Sequence, residues 1–250
     1  MLRAVVIVIA CCVRLSLIAQ PDYFASLVST TDSSATSFKR EFHSFVHDLK
    51  QKSKHLSETA LLHKTFDEAH RKFLKHYHAY SPFTDLFVTK SFDCLSGTAF
   101  FSLLLNELGY RYRIIETNYH IFMIVQTSQG EILLESTDKL NGFVSDPQQV
   151  VSKIESYRKN ELPHVSNLSH CYTYNINLFH EVLPSQLQGL LYFNQAVVAY
   201  NQRNWSQCRS KLAMAESLYA NPRINELKEI LKLTDSSDQQ DLNLSAAMEY

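Results

Sequence analysis

Glycine is scarce in this chain, five residues in 250, and the five stand far apart. No string of them can wrap a phosphate, which excludes a nucleotide-cradling loop. Proline is nearly as rare at six, and tryptophan occurs once. An excess of one charge is also missing: 24 Lys and Arg against 25 Asp and Glu leave a formal net charge of -1. Nucleic-acid binding needs clustered surplus base to neutralise phosphates. The basic residues between Lys39 and Lys75 instead alternate with Asp, Glu and Ser, the pattern of solvated helix faces. The zinc-protease helix string is absent, and the pairs His43 with His47 and His76 with His78 have no third ligand in view. No metal, no organic cofactor and no nucleic-acid partner is expected.

A long charge-free apolar run is lacking too. The first 20 residues read as an export signal, with Arg3, an apolar stretch from Ala4, and Leu17-Ile18-Ala19-Gln20 as the cleavage site. Arg14 interrupts that stretch, and a membrane span needs ~20 apolar residues, so cleavage is favoured over anchoring. Val8-Ile9-Ala10-Cys11 fits a lipoprotein cleavage box as the minority reading. The expected location is periplasmic or secreted, with membrane contact only if the N-terminus is uncleaved or lipidated. Losing Cys11 and Cys12 leaves Cys94, Cys171 and Cys208, an odd set in which at least one thiol stays free even where disulfides form.

What is present is a succession of apolar patterns. Residues 21–37, rich in Ser and Thr towards their end, read as a flexible lead-in. Phe38, Phe42, Phe45, Val46 and Leu49 sit at helical spacing, as do Leu62, Phe66, Ala69, Phe73 and Leu74. Tyr112 to Thr117, His120 to Thr127 and Glu131 to Thr137 have strand character, with a hairpin turn at Ser128-Gln129-Gly130. Both faces of these strands are apolar, so helices should cover one side and loops or the C-terminal unit the other. The order of elements predicts an α+β fold in which a central helix packs on an antiparallel sheet. From Leu187 the pattern is helical again, and Ala196, Cys208 and Ala215, with Tyr200, Trp205, Leu212 and Pro222 around them, resemble one tetratricopeptide repeat. A single repeat cannot bury its own apolar face, so residues 185–233 should pack on the preceding domain or on a protein partner. The tail from Thr234, 234–250, reads as disordered.

The segment Phe92 to Thr137 carries the chemistry. Asp93 caps a buried helix that opens with Cys94 and ends at Gly109. The first turn of a helix favours a thiolate, the nucleophilic form of cysteine. His120 follows 26 residues later at the start of a strand, and Glu135 comes 15 residues after that in the next strand. Asp138 competes with Glu135, and turn length separates them. A two-residue loop sets His120 opposite Thr137 with Glu135 one diagonal step away, whereas a three-residue loop sets Asp138 opposite His120.

Cysteine at the head of a central helix, histidine on one strand, and an acid on its neighbour within Glu135-Ser136-Thr137 resemble the transglutaminase-like, or papain-like, cysteine superfamily. The family string is similar to Asp-Pro-Thr, so Glu for Asp and Ser for Pro are departures. The likeness covers about residues 90 to 145, within an expected domain of 38–180. It implies Cys94 as nucleophile, His120 as base and then acid, and Glu135 as the residue orienting the imidazole. It further implies an amide or peptide hydrolase, or acyl transferase, acting on a peptide, a protein or a cell-wall amide, and the N-terminal signal would make it an exported one. The alternative is a silent scaffold of this fold that binds a protein partner through the C-terminal helices.

Overall fold

Apolar side chains recurring every three or four residues turn the first part of the chain into helices that share one buried face. The computed structural model describes residues 22–28, 33–52, 54–118, 120–159 and 178–247, with side chains as far as Thr234. Helix α1 (Tyr23–Val28) buries Phe24, Leu27 and Val28; α2 (Ser33–Lys52) buries Phe42, Phe45, Val46 and Leu49; α3 (Glu58–Lys72) buries Leu62, Phe66 and Ala69. The lead-in expected to be flexible is therefore helical over Tyr23–Val28 and again from Ser33. The reason is packing, because Phe24 meets the rings of Phe42, Phe83 and Phe87.

Two short strands, β1 (His76–Tyr77) and β2 (Ser91–Phe92), pair in parallel around α4 (Asp85–Val88) and deliver the chain to α5 (Cys94–Leu108). A capping box opens α5: the N–H of Ser96 donates to Asp93 Oδ1 at 2.7 Å, and the N–H of Asp93 donates to Ser96 Oγ at 2.9 Å. Gly109, at φ 79°, closes it in the left-handed region that glycine enters without strain. Every residue from Leu95 to Leu105 is buried, which makes α5 the central helix.

Strands β3 (Arg111–Thr117), β4 (Ile121–Thr127), β5 (Gly130–Leu134) and β6 (Phe143–Val144) follow, then α6 (Pro147–Arg158) and β7 (Phe179–Val182). The five strands form one sheet in the order β6-β5-β4-β3-β7, antiparallel throughout. This is a mixed helix and strand architecture compatible with the α+β class. Alternation divides the sheet's faces: Ile114, Met123, Val125, Ile132 and Leu134 join the α5 side, while Ile115, Phe122, Ile124 and Leu133 pack on Val150, Ile154 and Tyr157 of α6. Loops or the C-terminal unit were the expected cover for that second face. A helix takes the place because Asp146 caps it, accepting from the Gln149 N–H at 2.9 Å, and Pro147 suits its first turn.

A turn at Pro184–Gln186 leads to α7 (Leu187–Asn201), α8 (Trp205–Leu218) and α9 (Pro222–Ala247). Ala196, Cys208 and Ala215 are completely buried where α7 and α8 pack together. Leu187, Leu190, Leu191 and Tyr219 belong instead to the main core beside α5. The tail expected to be disordered continues α9 as far as Ala247. Ile224, Leu227 and Leu231 anchor the start of α9 in the hairpin's core, and a nucleated helix propagates at little further cost. The signal segment 1–20 and Cys171 lie outside the described residues. No helix among the described residues is long and apolar enough to cross a membrane.

Candidate active site

Turn length decides where the acid falls. Thr127 pairs with Gly130, so the loop between β4 and β5 is the two residues Ser128-Gln129. Continued past Met123 opposite Leu134, that register sets His120 opposite Thr137 and Glu135 one diagonal step away. The Glu135 side chain crosses the gap. Its Oε2 accepts from His120 Nε2 and, at 3.1 Å, from the Tyr157 hydroxyl; its Oε1 accepts from the N–H (2.9 Å) and hydroxyl (2.6 Å) of Thr137. A carboxylate 2% exposed needs such a set of donors to be tolerated. Asp138 faces elsewhere, accepting from the N–H groups of Leu140 and Asn141 and lying 3.9 Å from Lys153 Nζ.

With Nε2 donating to Glu135, a neutral His120 ring presents Nδ1 as an acceptor, and among the described residues none hydrogen-bonds that atom. The Tyr157 ring lies 5.4 Å from the imidazole and stacks on Phe122 at 4.6 Å, which restrains the ring's swing.

Cys94 is the first residue of α5, and that turn is tied to both strands. Ser136 Oγ donates to the Cys94 carbonyl at 3.3 Å, and Thr98 Oγ1 donates to the Ile121 carbonyl at 3.4 Å. Gly97 permits the approach, since a Cβ there would lie 2.7 Å from Ser136 Oγ. From beneath, His70 Nε2 sits 2.9 Å from the Ser136 carbonyl. Cys94, His120 and Glu135 thus occupy one corner, where α5 begins and the ends of β4 and β5 meet.

The electrostatics differ from the thiolate expected at a helix start. Burial, then the charges of Asp93 and Glu135, push the Cys94 thiol well above its usual range; Arg223 and the Leu95 N–H pull the other way and lose. Burial also depresses His120 below the usual histidine range, against the pull of Glu135. Both shifts favour the neutral forms, a thiol at Cys94 and an imidazole at His120.

Four side chains here lacked a place in the sequence reading. Tyr157 was findable, because Val150, Ile154 and Tyr157 recur at helical spacing after the start signal Asp146-Pro147. Tyr77 lies in β1 beside β2 and is 60% exposed, yet partial desolvation and then the nearby Cys94 and Asp93 push its hydroxyl up to about 12. Asn194 Nδ2 on α7 donates to Asp93 Oδ2 at 3.1 Å, and Arg223 begins α9; neither contact has a local sequence signal. A surface cavity of about 410 Å³ opens at the far end of α5, lined by Asn106, Tyr110, Arg111, Tyr112, Gln126 and Pro184, away from this chemistry. Among the described residues no three His, Cys, Asp or Glu side chains gather as metal ligands. No family model, no curated protein and no solved structure matches the chain.

Proposed function

We propose that this chain is an exported, cysteine-dependent acyl-transfer enzyme of transglutaminase-like type that hydrolyses an amide bond in a peptide, a protein or a cell wall. The observation that carries the reading is the buried Glu135 carboxylate holding His120 Nε2, next to a helix that begins with Cys94. Cys94 Sγ bonds to the carbonyl carbon while its proton passes to His120 Nδ1. The C–N bond then breaks and the imidazolium returns that proton to the departing amine. Water, deprotonated by His120, cleaves the thioester and frees the thiol. The Cys94 N–H and the Tyr77 hydroxyl are the proposed donors to the oxyanion. Water is the acceptor because a transamidase needs a built amine site, and none stands out among the described residues.

The rival reading is a silent scaffold that binds a partner through α7 and α8; the neutral thiol is the observation on its side. A peptidyl acyloxymethyl ketone at pH 7 separates the two. Wild type should be alkylated at Cys94, Cys94→Ala not at all, and His120→Ala on the order of a hundredfold more slowly. Equal rates for wild type and His120→Ala leave the scaffold reading standing.

A further inference from the structure

We infer that Arg223, at the start of α9, is a positioning residue for His120, so that the C-terminal helices form part of the reaction site's frame rather than an appendage. The inference rests on the reading of His120 as the base for Cys94.

One guanidinium spans three consecutive residues at the end of β3. Arg223 Nη1 lies 3.2 Å from Glu116 Oε1, and Nη2 donates to the carbonyls of Thr117 and, at 2.5 Å, Asn118. Thr117 then holds His120 from both sides. The His120 N–H donates to Thr117 Oγ1 at 3.1 Å, and the Thr117 N–H donates to the His120 carbonyl at 2.8 Å. The path from guanidinium to imidazole backbone is two hydrogen bonds long. Leu178 adds a hold on the same connection, its N–H donating to Asn118 Oδ1 at 2.5 Å.

The clamp is itself braced. Glu116, 2% exposed, accepts from the Tyr219 hydroxyl at 2.8 Å and from Asn221 Nδ2 at 3.0 and 3.3 Å. Asn221 Oδ1 in turn accepts from the Arg223 N–H at 2.9 Å. Tyr219 and Asn221 belong to the α8–α9 connection, and Arg223 to the first turn of α9. A planar fork suits this task because its donors reach two carbonyls and a carboxylate together, which a lysine point charge does not. Asn194 makes the parallel contact to Asp93, the cap of the Cys94 helix. The base's turn and the nucleophile's helix are thus both gripped from the C-terminal unit.

The test is the alkylation of the full chain by the same acyloxymethyl ketone, resolved into kinact and KI, for wild type, Arg223→Lys, His120→Ala and the double variant. Arg223→Lys keeps the charge and loses the fork. We expect kinact to fall about tenfold with KI within about twofold, because a misplaced base slows chemistry without altering probe binding. In the His120→Ala background the same substitution should have no further effect. Misfolding lowers the labelled fraction rather than kinact of the folded remainder, and Thr117→Val, which cuts the hydroxyl link to His120, should reproduce the result. Wild-type kinact for Arg223→Lys with a slow His120→Ala overturns the positioning role while the acyl-transfer reading survives. Equal slowing in both backgrounds overturns it as well, leaving Arg223 a general brace. His120→Ala labelling at the wild-type rate overturns the acyl-transfer reading, and this inference with it.

Discussion

Two buried glutamates on one sheet have nearly the same partners and different prospects. Glu135, just past β5, accepts from His120 Nε2 and the Tyr157 hydroxyl. Glu116, on β3, lies 3.1 Å from His180 Nε2 and accepts from the Tyr219 hydroxyl. Each carboxylate is 2% exposed. Glu116, however, also meets a permanent cation, Arg223, and the Asn221 amide. Its histidine stands on the edge strand β7 with a side chain 36% exposed. Glu135 has no Lys or Arg paired to it among the described residues, and the imidazole it holds lies beside the start of the Cys94 helix. A Glu-His-Tyr trio is therefore a bracing device by default. The acyl-transfer proposal requires the Glu135 charge to be left for the imidazole and the Cys94 thiol to reach the ring's other nitrogen.

The sharpest way to break this contrast is Glu135→Gln. Thr137 offers two donors to one end of the side chain, which draws the amide oxygen there and turns the NH₂ towards His120. Nε2 must then accept, Nδ1 carries the proton, and the base is lost. Alkylation should slow on the order of 10³- to 10⁴-fold. A loss under tenfold would make Glu135 as purely structural as Glu116.

Glu116→Gln should act on the other quantity. It leaves Arg223 without its carboxylate in a mostly buried site, which costs about 3–5 kcal/mol of folding stability in urea unfolding. A loss below about 1 kcal/mol would remove Glu116 from the role of brace.

The smallest effect is pH dependence at the corner that holds His120 and Cys94. The depressed His120 pKa means that its contribution to stability is present above the unfolded value of about 6.5 and is lost as pH falls through the folded value. The loss is at most about 1.4 kcal/mol per pH unit, and His120→Asn should flatten it. The raised Cys94 pKa has the opposite sign, with its contribution present below about 8.5 and lost as pH rises above it, so Cys94→Ala should flatten the alkaline limb. Thermal melts between pH 4 and 10 read both limbs, and unchanged slopes in the variants would detach these groups from the stability profile.

The legible parts of the molecule were those governed by near neighbours. Asp93, Ser96 and Gly109 announce the ends of α5 because caps act within one turn. Ser128-Gln129-Gly130 announced a hairpin turn but not its length, and only the Thr127–Gly130 pairing settled the two-residue loop that sets Glu135 one diagonal step from His120. Less legible was α1, whose short segment is ordered by distant phenylalanines. The thiol's electrostatic setting was less legible for a related reason. A helix start favours thiolate, but burial opposes it first, then the charge of the neighbouring cap Asp93, then that of Glu135, and of these only Asp93 is local in sequence.

The sequence by itself determined where α5 begins, which residue opens it, and which residues of its own strand alternate with His120, because these follow from caps and from a period of two. Only the tertiary structure decided that Asp138 points away, that α6 closes the sheet with Tyr157 on Glu135, and that Asn194 and Arg223 grip the corner from the far end of the chain. Asp138 is held by its near neighbours Leu140 and Asn141, but the other outcomes depend on contacts between residues 22 to 106 positions apart, which exist only once the sheet and its two helical layers have packed.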